Sequence, residues 1–218
     1  MDEKQIIDTL KKLRENSKKR NFVQSIDFSV ILKEVDLEKP EGKIDLFISL
    51  PADTGTKAKV CALVDKELST QAREVFDKII TKDEFSHWKG KNRELRKLAN
   101  EYDYFVAQAT IMTDIAATFG KVLGIKGKMP NPKAGCVVPP KFNLGPLREK
   151  LMHTIRLQTK KQPVISVTVG KENSSDENIA KNAMAVYSAI KAVLPRGDQQ
   201  MKKIMLKTTM GKPLVVGA

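Results

Sequence analysis

Residue types that build disulfide frameworks, metal sites and membrane spans are scarce in this chain. Its 218 residues include two cysteines and two histidines. Cys61 and Cys136 are too few for a disulfide framework, and we expect both to be buried thiols. His87 and His153 lack Cys-x-x-Cys or His-x-x-x-His spacing, so no metal site is predicted. No apolar run approaches about 18 residues and the start, Met-Asp-Glu-Lys, does not resemble a signal peptide, so we expect a cytoplasmic protein that does not enter a membrane.

Motifs for nucleotide binding and nucleophilic catalysis are also missing. Glycine precedes lysine six times, but no pair has the earlier glycine and the following hydroxyl of a phosphate-binding loop; the pairs begin at Gly42, Gly90, Gly120, Gly127, Gly170 and Gly211. No Gly-x-Gly-x-x-Gly and no Gly-x-Ser-x-Gly is present. The sequence therefore predicts no catalytic residue and no bound cofactor.

Acidic residues are in short supply as well, since 39 lysines and arginines face 26 aspartates and glutamates, a formal net charge of +13. Such a charge causes self-repulsion in the folded state and favours an anionic partner, with nucleic acid as the first candidate and an anionic membrane surface as the second. The imbalance is strongest in residues 154–218, with 11 basic and 4 acidic side chains. This part is therefore the predicted electrostatic footprint for a polyanion.

One segment, residues 115–148, has no acidic side chain at all. It holds six cationic side chains, five of the twelve glycines and five of the ten prolines. Proline restricts φ and glycine frees it, so the centre of this segment is predicted to be an ordered loop. Its charge predicts contact with an anion; the alternative is a solvated surface loop.

Hydrophobic spacing predicts one architecture at both ends of the chain and another in the middle. The ends favour an antiparallel α+β fold. Its predicted helices are an N-terminal one with Ile6, Leu10 and Leu13 on its apolar face, and one that begins with a capping box, Ser174-x-x-Glu177, and stops at Pro195. Its predicted strands are 26–32, 43–50, 155–159, 164–169 and 204–208.

The middle of the chain alternates strands with helices, as expected for a parallel or mixed sheet with helices on its faces. Apolar runs at 59–64 and 104–109 predict buried strands, and helices are predicted at 70–80, 87–100, 113–123 and 143–154. We therefore predict an α/β protein of two domains. Residues 1–53 and 154–218 form a discontinuous two-layer α+β terminal domain with an antiparallel sheet, and residues 54–153 form an inserted α/β domain.

Two short segments outside the basic loop combine cations, hydroxyls and apolar side chains. They are Lys-Lys-Arg-Asn-Phe-Val-Gln-Ser at 18–25 and Lys-Thr-Thr-Met-Gly-Lys-Pro at 207–213. Lysine neutralises phosphates, hydroxyls can bond phosphates or ribose, and Phe22 or Met210 could pack on a base. Gly211 would allow close approach of a nucleic-acid backbone. The alternatives are a core position for Phe22 and an ordinary strand end at Thr-Thr-Met-Gly.

Together these segments resemble the L-one family of large-subunit ribosomal proteins, over essentially the whole chain. The Lys-Met-Pro-Asn-Pro-Lys-Ala-Gly at 128–135 is similar to the signature of the family, and the Thr-Met-Gly at 209–211 resembles its C-terminal RNA-contact strand. The Lys-Arg-Asn-Phe at 19–22 resembles the archaeal form of the N-terminal contact, so the chain is identified as an archaeal-like member.

The resemblance implies a fold and a function. The terminal domain would bind large-subunit rRNA at the mobile stalk near the tRNA exit site, and the inserted domain would be a Rossmann-like three-layer α/β domain. Family members also repress translation by binding their own mRNA, and the stalk moves with departing deacylated tRNA. The implied protein is not an enzyme, needs no cofactor or metal, is a monomer when free, and is cytoplasmic and ribosome-associated.

Carried over by motif, the resemblance implies the following rRNA-binding residues: Lys19, Arg20, Phe22, Gln24, Ser25, Lys161, Gly170, Lys207, Thr208, Thr209, Met210 and Gly211. Gln24 and Ser25 stand where bacterial members have an acid and a threonine. For the signature loop two hypotheses remain open, a contact with tRNA or peripheral RNA through Lys126, Lys128 and Lys133, or a brace for the inserted domain. Two other functions also remain open, a sequence-indifferent nucleic-acid-binding protein and a phosphate-handling Rossmann-like enzyme.

Overall fold

The computed structural model describes residues 1–37, 42–160 and 162–217. The chain divides into two compact units, a terminal unit of Met1–Thr56 with His153–Ala218 and an inserted unit of Lys57–Met152. The domain boundaries after residues 53 and 153 stay a prediction from the sequence.

Along the chain, the helices and strands of the terminal unit come before and after those of the inserted unit. The helices are α1 (Glu3–Asn16), α2 (Lys66–Val75), α3 (Phe85–Trp88), α4 (Asn92–Glu101), α5 (Met112–Lys126), α6 (Gly145–His153) and α7 (Asp176–Val193). The strands are β1 (Ser25–Leu32), β2 (Asp45–Ser49), β3 (Val60–Val64), β4 (Lys78–Thr81), β5 (Tyr104–Gln108), β6 (Val137–Val138), β7 (Thr154–Gln158), β8 (Val164–Lys171), β9 (Met201–Thr208) and β10 (Leu214–Val215).

The main sheet of the terminal unit is antiparallel, in the order β10-β9-β1-β8. Alternate residues of β1, including Phe28 and Val30, are fully buried. They pack in one core with the apolar faces of α1 and α7, which contribute Leu10 and Ile179 among others. Burying such a side chain contributes about 1.5–3 kcal/mol, so the alternation seen in the sequence is sufficient to hold this layer of helices on one face of the sheet.

A β-bulge in β8 explains the glycine at position 170. Asp27 pairs with Thr168 and Ile26 pairs with Gly170, so Val169 is the extra residue, and both Val169 and Gly170 are buried. A Cβ at position 170 would lie 2.8 Å from Cγ1 of Ile179 on α7. The glycine is therefore required by helix packing at the bulge, which gives this position a structural role.

A second, two-stranded sheet pairs β2 with β7, next to the points where the chain leaves and re-enters the terminal unit. Asp45 on β2 accepts two hydrogen bonds from the guanidinium of Arg156 on β7, at 2.7 and 2.8 Å. The same guanidinium lies 5.4 Å from the ring centre of Phe47. Bidentate pairing and ring stacking both favour arginine over lysine at this place.

The inserted unit contains a parallel four-stranded sheet in the order β4-β3-β5-β6. Every residue of β3 is buried, as its continuous apolar run predicted. Both cysteines are buried, and burial raises the pKa of Cys61 to about 12 and that of Cys136 to about 11. The prediction of buried thiols is confirmed, and neither thiol is activated as a nucleophile.

Several sequence predictions were wrong in detail. The helix expected at 70–80 is α2, which begins at Lys66 with Asp65 as N-cap, and the Ile79–Ile80 part lies instead in β4 beside β3. Two β-branched residues in succession suit a strand, so the sheet outweighs the helical pattern there. Ser175, not Ser174, stands at the N-cap position of α7 and makes no side-chain capping bond, whereas the hydroxyl of Ser174 accepts the Lys171 N–H in a turn. The short strands β6 and β10 were not predicted.

The basic segment 115–148 is not one loop. Helix α5 continues to Lys126, a short 3-10 turn covers Pro132–Ala134, and β6 and α6 follow. Only residues 127–136 match the expected ordered loop, with Gly127 and Gly135 at φ +66° and +75°. Left-handed backbone at these two positions explains why glycine is required on either side of the Pro-x-Pro turn.

Candidate nucleic-acid interface

The terminal unit carries a groove of about 600 Å³ at the end of the sheet where α1 ends, β1 begins and β9 ends. Three of the lining side chains are cationic and none is acidic: the lining residues are Leu13, Asn16, Ser17, Lys18, Arg20, Gln24, Thr208, Met210, Gly211, Lys212 and Leu214. A concave surface with charge of one sign concentrates anions.

Gln24 holds the walls of the groove together. Its side chain is buried, and its Oε1 accepts the Met210 N–H at 3.2 Å. Its Nε2 donates to Ser17 Oγ at 3.3 Å and to the Lys18 carbonyl at 3.5 Å. One side chain thus links the end of α1, the start of β1 and the turn after β9. Since it is buried, Gln24 positions the groove rather than meeting a ligand through its own side chain.

Thr209 extends the pairing of β1 with β9 at the groove. Its hydroxyl accepts the Ser25 N–H at 3.0 Å, and its own N–H donates to the Ser25 carbonyl at 3.0 Å. These two bonds extend the β1–β9 ladder by one residue pair beyond the regular strands. The Thr-Thr-Met-Gly segment is therefore anchored to the start of β1, 184 residues away along the chain.

A tight turn follows, from Thr208 to Gly211. The Gly211 N–H donates to the Thr208 carbonyl at 3.1 Å. A Cβ on residue 211 would overlap Oγ1 of Thr208, so no other residue fits without displacing that side chain. Thr208 is itself buried, and its hydroxyl lies 3.4 Å from that of Ser17. Glycine is thus needed for close approach within the protein.

Large apolar side chains are exposed at this same end of the sheet. Phe22, Val23 and Met210 have exposed fractions of 52%, 53% and 62%. The alternative of a core position for Phe22 is therefore wrong. Apolar side chains grouped beside cations are typical of a surface that binds a partner.

The other residues expected from the resemblance lie in different surroundings. Arg20 is exposed and lines the groove, Lys19 is exposed next to it in sequence, and Lys207 is half-buried opposite Asp27 in the sheet. Gly170 is buried at the bulge, and Lys161 lies outside the described residues. Sequence reasoning missed Lys18 and Lys212 as individual contacts, although both belong to the two segments that it singled out and both line the groove.

Residues 11–212 match the model of the ribosomal protein L1p/L10e family. The chain belongs to this family. It is 41% identical over 211 residues to a large ribosomal subunit protein uL1 of Methanothermobacter thermautotrophicus, covering 96% of this chain and 97% of the relative. It is 39% and 37% identical to proteins of the same name from Pyrococcus abyssi and Methanocaldococcus jannaschii, in each case over 216 residues, 99% of this chain and 96% of the relative. The predicted resemblance to an archaeal L-one protein is confirmed.

The L1p/L10e signature loop makes several contacts inside the inserted unit. The Lys128 ammonium donates to the Tyr102 carbonyl at 2.7 Å, and the Lys126 ammonium donates to Oδ1 of Asn100. Asn131 accepts the Lys133 N–H through its side chain and the Cys136 N–H through its carbonyl. Much of the loop thus connects α5 to β6, which favours the hypothesis of a brace. The ammonium of Lys133 is exposed.

In open α/β sheets nucleotides bind in a crevice at the carboxyl ends of the strands, which here are the ends of β3 and β5. Buried Gln108 accepts the Asp65 N–H there at 3.0 Å, and Asp65 in turn caps α2 through the Lys66 N–H.

Over residues 1–37, 42–160 and 162–217 no group of three metal-binding side chains is found. Within the same ranges no helix combines the length and hydrophobicity needed to cross a bilayer.

Proposed function

We propose that this chain is a structural protein of the large ribosomal subunit that binds large-subunit rRNA, through the groove of the terminal unit, at the mobile stalk near the tRNA exit site. The observation that carries the proposal is the groove itself. The two segments that resembled family contacts in the sequence meet there, and they combine three cations with exposed Met210 and no acidic lining residue.

The groove suits RNA in three respects. Lys18, Arg20 and Lys212 can neutralise phosphates, which supplies affinity but little sequence information. Met210 and Phe22 offer apolar surface to unstacked bases or riboses, which is how folded RNA is usually recognised. The turn at Gly211 exposes backbone groups without a side chain that would hold the RNA away.

The same groove would also recognise the mRNA of this protein. One groove holds one RNA at a time, so rRNA and mRNA would compete for it. Free protein would then repress its own translation only when rRNA sites are filled. The chain would be cytoplasmic and ribosome-associated, monomeric when free, and would assist release of deacylated tRNA as the stalk moves.

The two units would correspond to the terminal domain and to a Rossmann-like insertion, with residues 54–153 as the insertion. The parallel order β4-β3-β5-β6, with helices between successive strands, supports this assignment. The sequence contains no phosphate-binding loop, so it gives no support to the alternative of a phosphate-handling enzyme.

A competition titration at physiological salt tests the proposal. A labelled rRNA stalk fragment would be challenged with excess unrelated structured RNA, using wild type, Thr209→Val and Thr209→Ser. We expect the stalk fragment to resist competition. Thr209→Val, which leaves the Ser25 N–H without its acceptor, should lose this preference, whereas Thr209→Ser should keep it. Equal competition by unrelated RNA with wild type would instead favour a sequence-indifferent nucleic-acid-binding protein.

A further inference from the structure

The inserted unit has a cationic surface that the proposed function does not use. Three side chains on α4 are exposed and spaced at i, i+3 and i+4: Arg93, Arg96 and Lys97. Residues at these spacings lie on one face of a helix. Asn100 continues the same face one turn further on, and it accepts a hydrogen bond from Lys126 of α5. We call Arg93, Arg96, Lys97 and Lys126 the α4 basic face.

The cations of this face are not neutralised within the protein. Elsewhere Arg14, Arg148, Arg156 and Arg196 each form an ion pair with a carboxylate. In the part of the chain that the structure describes, no carboxylate lies within the 4.0 Å ion-pair distance of the α4 basic face. The nearest acid in sequence, Glu94, pairs with Lys91 instead.

Such a face weakens the helix that carries it. Like charges at i, i+3 and i, i+4 repel one another, and Arg93 has such a neighbour at both spacings. The opposite face of α4 accounts for its folding, because Leu95, Leu98 and Ala99 are buried in the core of the inserted unit. In the described part of the chain no ion pair offsets the repulsion at Arg93, and a bound polyanion would reduce it.

We propose that the α4 basic face is a second RNA-binding surface, which contacts the phosphates of a double-helical RNA without reading its sequence. Arginine forks bind phosphate oxygens in pairs, and the face offers two such forks with two ammonium groups. An interfacial membrane helix would need exposed apolar side chains beside its cations. The apolar residues of α4 are buried, and Ile125 beside Lys126 is the single large exposed one next to the face in sequence. The inference does not depend on the groove of the terminal unit.

The test is the salt dependence of binding to an RNA duplex of about 16 base pairs that contains no stalk sequence. The variant is Arg93→Gln/Arg96→Gln/Lys97→Gln. The matched control is Lys181→Gln/Lys202→Gln/Lys203→Gln, which removes three exposed cations of the terminal unit. We expect the α4 variant to weaken duplex binding about tenfold or more near 0.1 M salt and to flatten the log–log salt slope by about two to three. The control should change affinity less than about threefold.

Two further arms separate the explanations. Arg93→Lys/Arg96→Lys should keep most of the salt slope, since it keeps the charge. Met210→Ala should keep duplex binding, whereas the α4 variant should keep the preference for the stalk fragment over unrelated RNA, so failure of this inference is distinguishable from failure of the groove. Equal losses in the α4 variant and the control would overturn the inference. So would unchanged duplex binding accompanied by loss of binding to phosphatidylserine-containing vesicles, which would assign the face to a membrane.

Discussion

Neighbouring residues at the groove have opposite surroundings. Gln24 and Thr208 are buried and hold backbone segments together, while Phe22 and Met210 extend into solvent. All four were predicted as RNA contacts from the resemblance. Residue type and motif could not separate the two roles, because burial at a strand end depends on segments that come from distant parts of the chain.

At the residue scale, Met210→Ala tests direct contact. Because the side chain is 62% exposed, we expect the free energy of unfolding to change by less than about 0.5 kcal/mol. Affinity for the stalk fragment should fall about fivefold to tenfold, as expected for loss of roughly 1 kcal/mol of packing on a base or ribose. Fluorescence anisotropy measures the affinity. Ile125→Ala is the matched control, since it also shortens an exposed apolar side chain, but in the inserted unit. An equal loss of affinity in Ile125→Ala would contradict a direct contact between Met210 and the RNA.

The bulge in β8 is a feature of an element rather than of one residue. It brings two successive residues to the side of the sheet that packs on α7, and only a residue without Cβ fits the second place. The sequence predicted both the strand and the helix but not the bulge. A bulge arises from the register between strands, which the alternation of a single strand does not contain.

Gly170→Ala should destabilise the protein by about 1–3 kcal/mol, because the new Cβ lies 2.8 Å from Ile179. Gly120→Ala is the matched control. That glycine is within α5 and a Cβ there meets nothing within 4 Å, so the change should stabilise by about 0.5–1 kcal/mol. Urea unfolding measures both. Adding Ile179→Ala should make Gly170→Ala less harmful, and strictly additive effects would contradict the proposed contact.

Helix α7 is tied to the 3-10 turn of Gly197–Gln200 by Tyr187 and Lys191, which both donate to the carboxylate of Asp198. The hydrogen bond to Asp198, together with burial, raises the pKa of Tyr187 to about 12. Hydrogen bonds from Lys191 and Tyr187 lower the pKa of Asp198. The folded state therefore favours a neutral phenol beside a charged carboxylate.

The stabilisation that Tyr187 provides should depend on pH. A raised pKa means that the contribution is complete below the unfolded pKa, about 10, and is lost as pH rises through about 12. The difference in free energy of unfolding between wild type and Tyr187→Phe should therefore shrink across this interval. On the acid side, the contribution of Asp198 should be lost as pH falls below about 3.8. Asp198→Asn should abolish the alkaline dependence, and a constant difference across the interval would contradict the link.

At the scale of the whole molecule, the formal charge of a segment differs from the charge that it can offer to a partner. The net charge of +13 predicted a polyanion partner, and the family confirms that the chain is a ribosomal protein. From its charge, the basic segment 115–148 was predicted to contact an anion. There Arg148 pairs with Asp77 and Lys128 pairs with Asp103. Formal charge therefore overstated what this segment offers to a partner.

Two double variants compare the groove of the terminal unit with the signature loop of the inserted unit. Lys18→Ala/Lys212→Ala removes cations that line the groove, and Lys126→Ala/Lys133→Ala removes the same charge from the L1p/L10e signature region. The first should weaken binding to a minimal rRNA stalk fragment and flatten its log–log salt slope by about two, whereas the second should leave affinity for that fragment within about twofold. Titrations at several salt concentrations provide both values. A larger effect from the second variant would move the rRNA contact to the inserted unit.

Local patterns were sufficient for the family and for most helices and strands. Hydrophobic spacing indicates burial over a few residues, and a motif such as Lys-Met-Pro-Asn-Pro-Lys is recognised from consecutive residues alone. The groove could not be derived in this way. Ser25 meets Thr209 across 184 residues, Arg14 meets Asp176 across 162, and the order β10-β9-β1-β8 follows from such distant pairings. Which side chains are buried, which cations are paired and which glycine relieves a clash all depend on contacts between distant segments, and those exist only in the folded chain.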